Sequence, residues 1–189
     1  ETRKYSITQA LFDNVVDFSQ YELVVLATGD PTVELEVNKR IHKTGCPALF
    51  TWLEPLGIGG HVLVVNNARD GGCLECLYTS PTETLQNRAS FAAPNQQFGR
   101  ALSGCGSLHT PYGAMDATTT ATLAARVAIK VLNGSEKGNP LLSWKGEAHE
   151  FVENGFVVSD RYRMSQQKLD SLRYDYRICQ CPVCGSDTQ

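Results

Sequence analysis

The stretch ELVVLATGDPTVELEVNKRIHKTG, Glu22 to Gly45, decides the fold. Glu22–Ala27 is a short and almost wholly apolar run, the pattern of a strand covered on both faces. Thr28-Gly29-Asp30-Pro31 breaks it. Asp30 is a good helix N-cap and Pro31 fits the first helical position, so a helix is predicted from there to about Thr44, stopping at Gly45. Ala48–Leu53 (ALFTWL) and His61–Val65 (HVLVV) read as two further strands, separated by the glycine-rich Gly57-Ile58-Gly59-Gly60. Strand, helix and strand in this order form a βαβ unit. The expectation is an α/β domain with a mainly parallel, Rossmann-like sheet flanked by helices.

Working outward, Ser6–Phe18 carries Ile7, Leu11, Val15 and Phe18 at helical spacing, and Asp116–Leu132 is a second amphipathic helix. Between them the periodicity fades from about Leu77 to Tyr112, where Pro, Asn, Gln, Ser and Thr dominate. A loop of that length in a compact domain is usually functional or mobile. Glu150–Ser159 reads as a hairpin turning at Asn154-Gly155. Residues 161–177 form a polar tail leading to the last cysteines.

Composition narrows the function classes. The chain has 189 residues, 42% of them hydrophobic and 20% charged, which suits one globular domain with a sizeable core. Net charge is −3 and no basic stripe runs along the sequence, which argues against direct nucleic-acid binding. No apolar run approaches the ~20 residues of a membrane span, and no secretory leader pattern opens the chain, so a cytoplasmic, non-membrane protein is expected.

Seven cysteines, an odd number without a secretory signal, argue against a disulfide framework. Four of them form two C-x-x-C pairs, Cys73/Cys76 after Gly71-Gly72 and Cys181/Cys184 before Gly185. This spacing lets two thiolates of one tight turn face one ion, and two such turns supply a closed, tetrahedral four-cysteine zinc site. With 104 residues between the pairs, such a site would staple the C-terminal segment, about 179–185, to the body of the domain. Four thiolates leave no position for substrate, so this Zn2+ is structural. Cys179 is a possible substitute ligand. Two unrelated pairs of reduced thiols are the plainer alternative.

Two more positions invite chemistry. In open α/β sheets ligands bind beyond the carboxyl ends of the strands, against helix N-termini. Thr28, Gly29 and Asp30 stand there: Gly29 permits close backbone approach, and Asp30 either holds Mg2+ beside a phosphate or simply caps its helix. Cys105, in Ser103-Gly104-Cys105-Gly106-Ser107, is a candidate nucleophile. Its flanking glycines leave the sulfur accessible, and a helix N-terminus nearby favours the thiolate; a small packed thiol is the alternative. His109 is a weaker candidate base. His61, opening an apolar strand, reads as a hydrogen-bonded core histidine, and Cys46 as buried and inert.

Taken together, ELVVLATGDPTVELEVNKRIH, GGHVLVV, GGCLECLY, SGCGSLHTPYGAMDATTTATLAARVAIKVLNG and CPVCG resemble the ThiF/MoeB superfamily of ubiquitin-activating-type adenylyltransferases, over most of residues 21–184. The resemblance implies that Asp30, with Thr28, Gly29 and Asn38, belongs to a site for ATP and Mg2+. It implies that the segment of about 77–112 is a crossover loop, and that Cys105 takes the activated acyl group as a thioester. The family's glycine-rich ATP loop lies upstream of the Asp30 motif and is not found here, so residues 1–189 correspond to the C-terminal portion of one adenylation domain. The family's usual Thr-Asp-Asn stands here as Thr28-Gly29-Asp30.

The stretch TWLEPLGIGGHVLVV, Thr51–Val65, is further similar to bacterial ThiF-domain proteins of CBASS antiphage operons. That similarity implies a protein substrate with a C-terminal glycine, either a ubiquitin-like protein or a cGAS-like nucleotidyltransferase. It also implies a homodimer and a fused or separate conjugating domain. Two rival functions stand beside it: a sulfur-carrier adenylyltransferase of cofactor biosynthesis, and a non-catalytic, zinc-stabilised interaction module.

Overall fold

The computed structural model describes residues 6–66, 71–79, 87–101 and 108–185, with the backbone alone at 100–101 and 108–109. A four-stranded sheet forms its centre, in the order β1 (Val24–Leu26), β2 (Ala48–Leu53), β3 (Gly59–Val65) and β6 (Leu141–Lys145). A separate two-stranded ladder joins β4 (Arg100–Ala101) to β5 (Leu108–His109).

The expected helix after the first strand forms as read. Helix α2 spans Pro31–Thr44, with Asp30 at the N-cap and Gly45 beyond its end in the left-handed region (φ 74°). Strand alternation then sorts the core. Ala48 and Phe50 of β2, with Leu63 and Val65 of β3, meet Val37 and Ile41 of α2 on one face. Leu49, Val62 and Val64 meet Ala124, Val127 and Val131 on the other, the last three belonging to α4 (Ala114–Leu132). The sheet is covered by helices on both faces, and all seven residues of β3 are buried.

The sheet is mixed, not mainly parallel. β1 and β2 run parallel through α2, but β2–β3 and β3–β6 are antiparallel. The reason is legible in chain length: only Glu54–Ile58 separate β2 from β3, and a parallel return needs a crossover of about a dozen residues. Five residues make only a hairpin, here turned by Leu56 and Gly57, both left-handed (φ 52° and 71°). β1 is an edge strand with Val25 exposed, so its apolar run is not matched by cover on every side.

Two local expectations are corrected too. Helix α1 covers only Ile7–Phe12, because Asn14 turns left-handed (φ 53°) and ends it. Glu150–Ser159 is not a hairpin: His149–Glu153 form helix α5, and Asn154-Gly155, with Gly155 at φ 83°, is a helix stop. Residues 87–98, within the expected long loop, form no helix or strand but are packed. Ala89, Phe91 and Ala92 are buried, Ala92 bridges to Val158, and Phe91 packs with Ile58, Phe151 and Leu169 as a third cluster at the sheet's end. The polar tail carries two short helices, α6 (Asp160–Arg163) and α7 (Gln166–Ser171). No helix among the described residues is long and apolar enough to cross a membrane.

Candidate metal centre and nucleotide corner

The two C-x-x-C pairs come together. Cys73 stands just before the short helix α3 (Leu74–Tyr78), which carries Cys76. Cys181 and Cys184 lie in the C-terminal turn, where the Gly185 amide donates to the Cys181 carbonyl at 2.8 Å. The four Sγ atoms lie within 4.8 Å of one another. Cys73 and Cys181 are 3.7 Å apart, and Cys76 and Cys184 are 3.3 Å apart. Tetrahedral coordination at a Zn–S distance of ~2.3 Å sets sulfurs ~3.8 Å apart, so the donor set fits zinc in number, softness and spacing. With protons alone to share, the thiols push one another apart. Cys73 is driven far up, first by its hydrogen bond with Cys181, while Cys181 is driven far down, first by its bond with Cys184. A divalent cation removes that conflict by taking four thiolates at once.

Buried polar groups hold the cluster. Asn38 on α2 is fully buried; its Nδ2 donates to Cys73 Sγ at 3.5 Å and its Oδ1 accepts from the Leu74 amide at 3.2 Å. The Asn38 side chain thus faces the cysteine knuckle. The Tyr176 hydroxyl sits between the carbonyls of Gly72 (3.0 Å) and Asn139 (2.9 Å), and Asn139 Nδ2 also donates to Gly72 at 2.8 Å. Glycine is required at 71 and 72 for this closeness: a Cβ on Gly72 would stand 2.5 Å from the Tyr176 ring, and one on Gly71 would strike the Asn139 amide. Arg88 clamps both halves, donating from Nη1 to the carbonyls of Cys76 (3.1 Å) and Tyr176 (3.2 Å). Asn139, Tyr176 and Arg88 carry no motif spacing, and no sequence signal singles them out. Cys179 is exposed and lies outside the cluster. Cys46 is buried.

At the carboxyl end of β1, Thr28, Gly29 and Asp30 are exposed where the chain enters α2. Asp30 Oδ1 accepts from the amides of Thr32 (2.9 Å) and Val33 (3.3 Å), so the residue is a true cap, and it is exposed. Glu34, one turn on, reaches back: its Oε1 accepts from Thr28 Oγ1 (2.8 Å) and from the amides of Thr28 (3.2 Å) and Gly29 (3.3 Å). Gly29 adopts φ 67° with open space where a Cβ would stand. Burial raises the Glu34 carboxyl above the ordinary range, with the Thr28 and Gly29 bonds opposing. Thr28, Gly29 and Asp30 therefore form one pinned loop. Cys105 lies outside the described residues, and His109 is described only in its backbone.

His61 is the core histidine expected of it. It is fully buried, with Nδ1 2.8 Å from Ser143 Oγ and Nε2 3.0 Å from Glu54 Oε1, between the rings of Trp52 and Phe91.

No protein-family model matches the chain, and a search of curated proteins finds no match. Solved structures do. The fold is similar to part of E. coli MccB. The crystal structure of MccB matches 100% of this chain with a TM-score of 0.56 at 13% identity. Those of MccB with MccA-N7isoASN and with ATP match 98% and 97% of it, with TM-scores of 0.52 and 0.51 at 15% and 14% identity. The chain spans less than half of the length of these proteins, 44–45%.

Proposed function

We propose that this chain is part of an ATP-dependent adenylating enzyme acting on the terminal carboxylate of a protein or peptide. The observation that carries the reading is the match of nearly the whole chain to MccB, a protein crystallised with ATP and with MccA-N7isoASN. The open corner at Thr28-Gly29-Asp30 supports it, because an exposed carboxylate stands beyond a strand end against a helix N-terminus. Capping and ligation need not compete there. Oδ1 of Asp30 serves the two helix amides, leaving Oδ2 to face a cation beside the triphosphate.

In the reaction, a carboxylate oxygen of the substrate attacks the α-phosphorus of ATP. The bond to the β,γ-diphosphate breaks, giving an acyl adenylate and pyrophosphate. Magnesium, when bound, screens the phosphate charge; Asp30 would hold it, and Glu34 keeps the Thr28-Gly29 backbone in place. In the finer form of the proposal, the thiolate of Cys105 then attacks the acyl carbon and AMP departs, leaving a thioester for conjugation. The substrate would be a ubiquitin-like or cGAS-like protein ending in glycine, in a CBASS-type setting, and the enzyme would be a dimer. The zinc cluster, closed by four sulfurs, takes no part in chemistry.

The test is substrate-dependent exchange of labelled pyrophosphate into ATP on the natural full-length protein. Asp30→Asn is expected to lower exchange by about 10²-fold or more, the scale of losing one preorganised electrostatic group. Exchange unchanged in D30N would remove Asp30 from the site, and no exchange with any carboxylate substrate would overturn the reading. A reducible adduct with substrate that disappears in Cys105→Ser would establish the thioester. Exchange without the adduct favours the sulfur-carrier route.

A further inference from the structure

A concave feature is lined by neither the cluster cysteines nor Asp30. It is a cleft of about 480 Å3 between residues 87–94 and residues 157–163. Three arginines line it: Arg88, Arg161 and Arg163. Arg163 is already paired with Asp160 at 3.2 Å. Arg88 spends Nη1 on two backbone carbonyls, which orient it, and it makes no ion pair among the described residues.

Arg161 is the unusual one. It is half-buried, its hydrogen bonding among the described residues is a long contact from Nη2 to Ser143 Oγ at 3.4 Å, and its Nε is buried with no acceptor. Glu54, the acid whose field reaches it, is committed elsewhere. Its Oε1 meets His61, and its Oε2 accepts from Ser90 Oγ (3.0 Å) and the Ala92 amide (3.4 Å). Burial is the first cause pushing the Arg161 guanidinium down, and Arg88 adds to it.

Arg161 thus meets the field of one buried carboxylate, already bonded to His61, Ser90 and Ala92, and of a second guanidinium, Arg88, lining the same cleft. A desolvated guanidinium short of acceptors is costly, and a planar fork of N–H donors is matched by the oxygens of a carboxylate or phosphate.

We infer that this cleft binds an oxyanion, a carboxylate or phosphate group, with the Arg161 guanidinium as its anchor and Arg88 as the neighbouring cation. The test needs no ATP chemistry. The zinc-loaded protein is titrated with inorganic phosphate, with a short peptide bearing a free C-terminal carboxylate, and with the same peptide amidated. The Arg161 Nε–Hε resonance, identified by its loss in Arg161→Lys, reports binding to the wild type, and the backbone amide resonances of residues 157–163 report it in wild type and variants alike.

A saturable shift with phosphate marks a phosphoryl ligand. A shift with the free-acid peptide and none with its amide marks a chain terminus. In either case Arg161→Gln is expected to weaken binding about tenfold or more. Arg161→Lys, which keeps the charge but loses the fork, is expected to weaken it less, and serves if the glutamine variant does not fold. No saturable shift with either oxyanion, or equal affinity in the Arg161 variants and wild type, overturns the inference.

Discussion

Removing the ion from the cysteine cluster is the perturbation whose size the structure sets most directly. The cluster joins Cys73 to Cys181 and Cys76 to Cys184, each across 108 positions of sequence. A cross-link closing a loop of that length restricts the unfolded chain by about 4.7 kcal/mol in the loop-entropy model. A domain of this size is stable by only about 5–15 kcal/mol in all. At about 2–4 °C per kcal/mol, chelation under reducing conditions is expected to lower Tm by about 10–20 °C. The assay is a thermal melt with and without a chelator, paired with metal analysis, which should find about one zinc per chain. Cys181→Ser should lose the zinc and melt near the chelated wild type. A chelated protein that melts within about 3 °C of the untreated one, or a C181S variant that keeps its zinc, would refute the cross-link.

Other substitutions probe the groups around the cluster and under the sheet. Tyr176→Phe leaves the Gly72 and Asn139 carbonyls without their shared donor and is expected to cost ~1–2 kcal/mol in urea unfolding with zinc retained. An unchanged midpoint would show the hydroxyl idle. His61→Ala strands Glu54 and Ser143 and opens a void between Trp52 and Phe91, so a loss of ~3–5 kcal/mol is expected; less than ~1 kcal/mol would mean that the row is not cooperative. Burial holds the Glu34 carboxyl above its unfolded pKa. Its contribution is therefore fully present below the unfolded pKa and lost as pH rises through the raised folded value. The stability of wild type relative to Glu34→Gln should then fall as pH rises above the ordinary carboxyl value of about 4.3, and a difference that stays flat or rises would contradict it.

What the sequence disclosed follows from how local each signal is. Asp30, Pro31 and Gly45 punctuate α2 through the backbone groups at its ends, and those rules need no knowledge of the rest of the chain. The cysteine pairs are legible because a zinc site demands a fixed ligand type and spacing within each turn, leaving only their meeting to the fold. Strand direction is misjudged from the hydrophobic runs because they carry no direction, whereas the five residues between β2 and β3 say a great deal. Asn154-Gly155 misleads for a related reason: the same dipeptide ends a helix or turns a hairpin, and the choice lies with what Phe151 packs against. Tyr176, Asn139 and Arg161 act through partners far along the chain, so no short window contains their signal. Asn38 likewise makes its side-chain bonds with Cys73 and Leu74, 35 and 36 positions on, beyond any short window.

Arg88 links features that otherwise stand apart. Its guanidinium reaches the carbonyl of Cys76 in one knuckle and that of Tyr176, just before the other, while its side chain also lines the cationic cleft. Tyr176 in turn rests on Gly72, next to Cys73. An ion held by the four cysteines would therefore also fix the wall from which Arg88 meets Arg161. It follows that the cleft should be sensitive to metal although no cysteine lines it. Zinc removal frees the C-terminal turn, releases Tyr176 from the Gly72 carbonyl and leaves Arg88 without its two acceptors. Oxyanion affinity measured on chelated protein, at a temperature where the sheet remains folded, should fall along with the zinc content. Affinity that survives complete zinc loss would show that residues 87–94 are held by Phe91 and its neighbours alone, and that the Arg88 clamp is a passenger on that packing.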